Sequence, residues 1–136
     1  MAIADASGLP VSISIADGPR HEVKLVQQSL DERFVRRLPR RLIADKAYDS
    51  APLEEELRRK GIKLIAPVRD SGTIRRKRKR RVDGRLLRRY RKRWRIERLF
   101  SWLFQCRRLV TRWEPKAENF LGFLQLGCIR ILLRRL

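Results

Sequence analysis

Residues 41 to 68 carry the sequence feature that most restricts the fold. RLIAD is an apolar run that stops at an aspartate, and IKLIAPV is a second apolar run, so both are typical of buried strands. Between them, DSAPLEEELRRKG predicts a helix, with Asp49 or Ser50 as its cap and Gly61 at its end. A strand, a helix and a strand within about 30 residues predict a parallel βαβ unit and therefore an α/β fold.

The flanking segments add a hairpin and several helices. AIADA and LPVSISIA predict an N-terminal β-hairpin, because Val11, Ile13 and Ile15 alternate with serines. HEVKLVQQSL has the periodicity of a short amphipathic helix. A long helical pattern then runs from residue 85 to about 113, and a final apolar helix from 119 to 136. The length predicts a single domain.

The charge balance restricts the partner of this chain. Lys and Arg number 35 against 15 Asp and Glu, a net charge of +20 that predicts a polyanionic partner, nucleic acid first. Between Arg75 and Arg95, 14 of 21 residues are Lys or Arg, which favours phosphate contact over a merely solvated basic face. Residues 75 to 81 are consecutive cations and predict a loop that is disordered without a partner.

Other residue types exclude some locations and sites. The most apolar window, NFLGFLQLGCIRILL, contains Gln125 and Arg130, so it falls short of the about 20 apolar residues of a membrane span. Cys106 and Cys128 lie among apolar residues and are typical of buried cysteines in a reducing compartment. His21 is the only histidine, which argues against a histidine zinc site. We therefore expect a cytoplasmic, nucleoid-associated protein without a signal peptide.

Two carboxylates stand out by position. Asp45 ends the strand LIAD, where parallel sheets build their sites, although it can equally pair with Lys46 or cap the next turn. Glu97 lies beside an apolar helical stripe, on one face with Tyr90, Arg93 and Arg108. An ordinary Arg93–Glu97 ion pair is the alternative interpretation. Carboxylates beside phosphate-binding cations are the ligands that Mg²⁺ uses in phosphodiester chemistry.

The segments around these carboxylates resemble a known family. LIADKAYDS and YRKRWRIERLFSWLFQCRRLV resemble the bacterial insertion-sequence transposases with a DDE catalytic core, and the resemblance extends over essentially the whole chain. It places the second catalytic aspartate on Asp45 and the catalytic glutamate on Glu97. Tyr90 and Arg93 match the tyrosine and arginine that precede this glutamate in the family. The lysine that follows it seven residues later is Phe104 here, so its role falls to Arg107 or Arg108.

The first catalytic aspartate of the family has no match in this chain. Asp5 in IADASG has the spacing of an ordinary turn residue. The resemblance therefore predicts an RNase H-like mixed sheet flanked by helices, with its first strand missing and two long C-terminal helices, over residues 1–136. Such a chain is a decayed element, a truncated gene product or the second frame of a split gene, and an upstream fragment is a predicted partner. Unpaired strand edges predict marginal stability.

The resemblance implies transposition, with metal-dependent cleavage and transfer of DNA strands. Asp45 and Glu97 would be the catalytic ligands of Mg²⁺ or Mn²⁺, two ions in the complete site. Terminal inverted repeats and target DNA would be the partners, and a homodimer is possible. A non-catalytic DNA-binding remnant and a basic RNA-associated protein are the alternatives. The expected DNA contacts are Tyr90, Arg93, Arg88, Arg89, Lys92, Arg95, Arg107 and Arg108.

The three tryptophans have two interpretations. Each can stack on unpaired bases or pack at the margin of the core. Packing is favoured for Trp102 and Trp113, and both interpretations stay open for Trp94, because it lies near the face of Tyr90 and Glu97.

Overall fold

A computed structural model of the chain describes residues 1–16, 22–67 and 84–135. It divides the chain into two compact units, Met1–Arg36 with Trp94–Leu136, and Arg37–Arg93. The strands and α-helices are β1 (Ala2–Ala4), β2 (Pro10–Ile13), α1 (Glu22–Asp31), β3 (Arg41–Ile43), α2 (Ala51–Arg59), β4 (Lys63–Ile65), α3 (Gly84–Tyr90), α4 (Trp94–Phe104), α5 (Arg107–Val110) and α6 (Ala117–Leu133).

In the first unit, β1 and β2 form the predicted antiparallel hairpin. Asp5 organises its turn, because one carboxylate oxygen accepts hydrogen bonds from the backbone N–H groups of Ser7, at 2.7 Å, and Leu9, at 2.8 Å. Gly8 completes the turn with a φ of 79°, a conformation that glycine adopts without steric cost. The interpretation of Asp5 as a turn residue is confirmed.

The core of the first unit forms where α4, α5 and α6 pack beside the hairpin. Its buried members are Ile13, Leu99, Leu103, Leu109, Cys128 and Ile131. Gly127 lets α6 approach closely, since a Cβ there would lie 2.9 Å from the Leu103 side chain. Helix α1 joins the unit through a buried hydrogen bond of 2.8 Å between the Ser14 and Ser29 hydroxyls.

The second unit contains the predicted βαβ arrangement. Strands β3 and β4 pair in parallel, with Leu42 opposite Leu64, and α2 connects them. Leu57 of α2 is completely buried. Gly61 ends the helix with a φ of 75°, and the chain then enters β4. The α/β class is confirmed, while the described strands form two separate sheets of two strands each. The RNase H-like arrangement stays a prediction.

The prediction of one continuous helix from residue 85 to about 113 is wrong. A 3₁₀ segment at Arg91–Arg93 separates α3 from α4, and neighbouring cations of like charge weaken a helix there. The chain breaks again between α4 and α5, where it turns so that Leu109 packs into the core. The final helix is confirmed as α6. The predicted loop over residues 75 to 81 and His21 lie outside the described residues.

Candidate functional site

Asp45 lies immediately after the carboxyl end of β3, as the sequence predicts. Its backbone is extended, and its Oδ1 accepts a hydrogen bond of 2.5 Å from the backbone N–H of Lys46. In this way Asp45 caps the 3₁₀ helix Lys46–Tyr48. The side chain remains 48% exposed, so the cap leaves the second carboxylate oxygen accessible to solvent or a ligand.

Arg93 is the partner of Asp45 within the second unit. Its Nη1 lies 3.6 Å from Asp45 Oδ2, and its guanidinium stands 6.0 Å from the centre of the Tyr90 ring. Three predicted site residues are therefore brought together. An ion pair this exposed contributes at most about 1 kcal/mol to stability, so loss of the pair alone should leave the fold intact.

Glu97 lies in the first turn of α4 and belongs to the first unit. It borders an open surface formed with Phe100, Ser101, Phe104 and Gln105. The rings of Phe100 and Phe104 stack with centroids 6.3 Å apart, which is the role the structure gives to Phe104. Glu97 therefore belongs to a different unit from Asp45.

Arg108 does not continue the helix face of Glu97, as expected from one long helix, because it lies on α5. Its Nη2 is 3.4 Å from the buried Glu114 carboxylate, and its guanidinium stands over the Phe123 ring at 5.0 Å. Arg107 is exposed on the same helix. Both substitutes for the missing lysine are exposed.

The remaining predicted DNA contacts lie at or near the surface. Arg88 and Lys92 are exposed, while Arg89 and Arg95 are half-buried. The Arg95 guanidinium stands 6.0 Å from the centre of the Trp94 ring. Arg88, Arg89 and Lys92 belong to the second unit and Arg95 to the first, so the structure gives no single surface formed by all four.

The tryptophans differ in exposure. Trp102 is half-buried against the core, as favoured by the sequence, and Trp94 is 49% exposed. Trp113 is 74% exposed, so its predicted packing is wrong. It follows α5 directly, and the turn into α6 leaves its ring at the surface.

Two charged residues have structural roles that the sequence did not predict. Arg98 donates a hydrogen bond to the Ser7 carbonyl, and its guanidinium lies 4.7 Å and 4.8 Å from the centres of the Trp94 and Trp102 rings. The spacing of four residues on each side of Arg98 was the available signal. Glu114 is buried beside Arg108, and nothing in its local sequence indicated this.

The described residues fit a divalent metal only in part. In the ranges 1–16, 22–67 and 84–135, no three His, Cys, Asp or Glu side chains gather as a metal-binding group. Asp45 fits as one ligand, because each carboxylate oxygen has two lone pairs and the residue is half-exposed. Mg²⁺ commonly takes one or two carboxylates together with water and phosphate oxygens.

Among the helices of residues 1–16, 22–67 and 84–135, none has the length and apolar character to cross a membrane.

A strand-end carboxylate beside an arginine, in a strongly basic α/β chain, defines a candidate polyanion-binding protein. The family model described as the transposase DDE domain matches residues 1–132, and the chain belongs to this family. It is 31% identical over 137 aligned residues to a protein of Burkholderia cepacia described as a putative transposase for insertion sequence element IS402. The alignment covers 95% of this chain and 59% of that relative. No solved structure matches the chain.

Proposed function

We propose that this chain contributes to the cutting and joining of DNA strands in the transposition of an insertion sequence. The family match over residues 1–132 is the observation that carries the proposal. The chain spans 59% of the length of this relative, so the complete activity stays a proposal. We further propose that an upstream fragment supplies the first catalytic aspartate, because the family resemblance leaves that aspartate without a match in this chain.

Asp45 and Glu97 would be the ligands of Mg²⁺ or Mn²⁺. Each receives this role from its own motif, LIADKAYDS or RWRIERLFSWL. When bound, the metal would activate water or a 3′-hydroxyl and stabilise the leaving oxygen of the phosphodiester. Both carboxylates must be ionised for this role. Asp45 is already held in place through its hydrogen bond from Lys46.

Arg93 and Tyr90 would hold the DNA strand next to Asp45. The Arg93 guanidinium, 3.6 Å from the carboxylate, has donors that can turn to a phosphate oxygen. The centre of the Tyr90 ring lies 6.0 Å from this guanidinium, and the ring would help to orient it. The neighbouring cations would neutralise other phosphates along inverted-repeat and target DNA, which positions the strands without reading their sequence.

Nicking of element-end DNA tests these roles, with the chain alone and with the upstream transposase fragment. Asp45→Asn and Glu97→Gln should abolish Mg²⁺- or Mn²⁺-dependent nicking and retain DNA binding. Arg93→Gln should reduce nicking with a free energy of unfolding changed by less than about 1 kcal/mol. The matched controls Asp31→Asn and Glu118→Gln change exposed acids on α1 and α6 and should behave as wild type.

Two outcomes would contradict the proposal. Equal nicking by wild type and the Asp45 and Glu97 variants would refute the assignment of these carboxylates. DNA binding without metal-dependent nicking, even with the upstream fragment present, would instead identify a non-catalytic DNA-binding remnant.

A further inference from the structure

A second basic site lies within the first unit, and its lining contains none of the predicted DNA contacts. It is a cleft between the carboxyl ends of α4 and α6. The side chains that give it its chemistry are Trp102, Gln105, Cys106, Arg130, Arg134 and Arg135. None of the described residues that line it is acidic, so three guanidinium groups share one concave surface without a carboxylate among them.

Among the described residues, Arg130 and Arg135 each have one side-chain contact that orients the guanidinium. Arg130 Nη1 donates to the Cys106 thiol sulfur at 3.1 Å, and the Arg135 guanidinium stands 4.6 Å from the centre of the Trp102 ring. Sulfur is a weak acceptor and an aromatic ring takes no strong N–H bond, whereas each guanidinium carries five donors. Most of these donors therefore still require a partner, which solvent or a ligand must supply.

The position of the arginines at the end of α6 accounts for part of this arrangement. The dipole of α6 favours cations near its carboxyl end, which accounts for Arg130 in the last turn and Arg134 at the C-cap. The contact with the Trp102 ring accounts for Arg135. Three like charges on one concave surface nevertheless repel one another. An anionic ligand removes this repulsion.

We propose that this cleft binds phosphate groups of the DNA backbone. Arginine forks match the geometry of phosphate oxygens, and a chain of net charge +20 selects a polyphosphate over a single anion. Stacking of bases on Trp102 is disfavoured, since Arg98 and Arg135 both already stand over its ring. The proposal rests on DNA as the partner, and it adds a contact outside the residues assigned to the catalytic site.

Cys106 reports on the cleft directly, because it lines the cleft while Cys128 is buried. Trypsin places the two cysteines in different peptides, so alkylation by N-ethylmaleimide can be followed for each by mass spectrometry without substitution. At duplex DNA about ten times its dissociation constant, we expect Cys106 to be labelled about tenfold more slowly, in proportion to 1 + [L]/Kd. Tripolyphosphate is the second probe.

The variant Arg130→Gln/Arg134→Gln/Arg135→Gln should lose this protection. Its slope of log K against log salt should fall by about 2 to 3, because each phosphate contact contributes about 0.9. The control Lys24→Gln/Lys63→Gln/Lys116→Gln removes the same charge from exposed positions and should keep the protection. Arg134→Gln alone is the second variant, because it changes one exposed side chain and should weaken protection without affecting folding.

The possible outcomes separate the two proposals. DNA that binds wild type but leaves Cys106 labelling unchanged overturns the cleft and spares the proposed function. Protection by tripolyphosphate and not by DNA assigns the cleft to a small phosphate compound and overturns the assignment to DNA. Absence of DNA binding in every assay overturns the proposed function itself.

Discussion

At the scale of single residues, Arg98 and Gly8 fasten α4 to the turn of the N-terminal hairpin. A Cβ on Gly8 would lie 2.7 Å from Arg98 Nη2, and the φ of 79° already disfavours other residues. Gly61 has a φ of 75° but no heavy atom within 4 Å of its Cβ position. An alanine at Gly61 would therefore introduce backbone strain alone, whereas an alanine at Gly8 would introduce the same strain and also displace Arg98.

We expect Gly61→Ala to lower the free energy of unfolding by about 1 kcal/mol, and Gly8→Ala to lower it further. Urea denaturation followed by circular dichroism measures both losses. In an Arg98→Ala background, the Gly8→Ala loss should fall to that of Gly61→Ala, because the clash is absent. Equal losses in the wild-type background would show that the Arg98 contact contributes nothing.

Burial of Cys128 gives the chain a specific pH dependence. Desolvation in the core raises the pKa of this thiol from its ordinary 9.0 to about 11. Above pH 9 the unfolded chain loses the thiol proton while the folded state retains it. The contribution of Cys128 to the free energy of unfolding is therefore fully present below pH 9 and is lost as pH rises to about 11. Under reducing conditions, the difference in urea midpoint between wild type and Cys128→Ala should shrink over this range. A difference that is constant from pH 8 to about 11 would contradict this pKa.

At the scale of secondary structure, features that depend on a short segment could be predicted from the sequence, whereas features that depend on long-range packing could not. The βαβ unit and the place of Asp45 are readable because each depends on a short segment, RLIAD or DSAPLEEELRRKG. The break between α4 and α5 depends on the packing of Leu109 against Leu103 and α6, which no local pattern reports. The pairing of Asp45 with Arg93 likewise joins residues far apart in sequence, so the resemblance named both residues but not their contact.

Helix α2 should depend on Leu57 more than on any exposed residue of its unit. Leu57 is completely buried, so Leu57→Ala should cost about 2–5 kcal/mol through lost burial and a residual cavity. The control Leu38→Ala truncates a leucine of the same unit that is 39% exposed, and should cost about 0.5 kcal/mol or less. Urea denaturation compares them, and equal costs would contradict the packing of α2 on its sheet.

At the scale of the whole molecule, the net charge of +20 sets two opposite responses to salt. Self-repulsion destabilises the compact free chain, and salt screens it, since the Debye length falls from about 10 Å at 0.1 M to about 3 Å at 1 M. DNA binding would release counterions, and this release is less favourable at high salt, so the same change should weaken a complex with DNA. Stability of the free chain and affinity for DNA should therefore change in opposite directions.

The urea midpoint of the free chain should accordingly be low near 0.1 M NaCl and rise as NaCl approaches 1 M, because screening relieves the repulsion among its 35 Lys and Arg. Each described sheet has two strands, which also predicts a low midpoint before a partner binds. Sodium sulfate at equal ionic strength is the control: screening gives the same rise with either salt, whereas exclusion of sulfate from the surface gives a larger one. A steep transition at a high midpoint in 0.1 M NaCl would show that neither the charge nor the unpaired edges limit this fold.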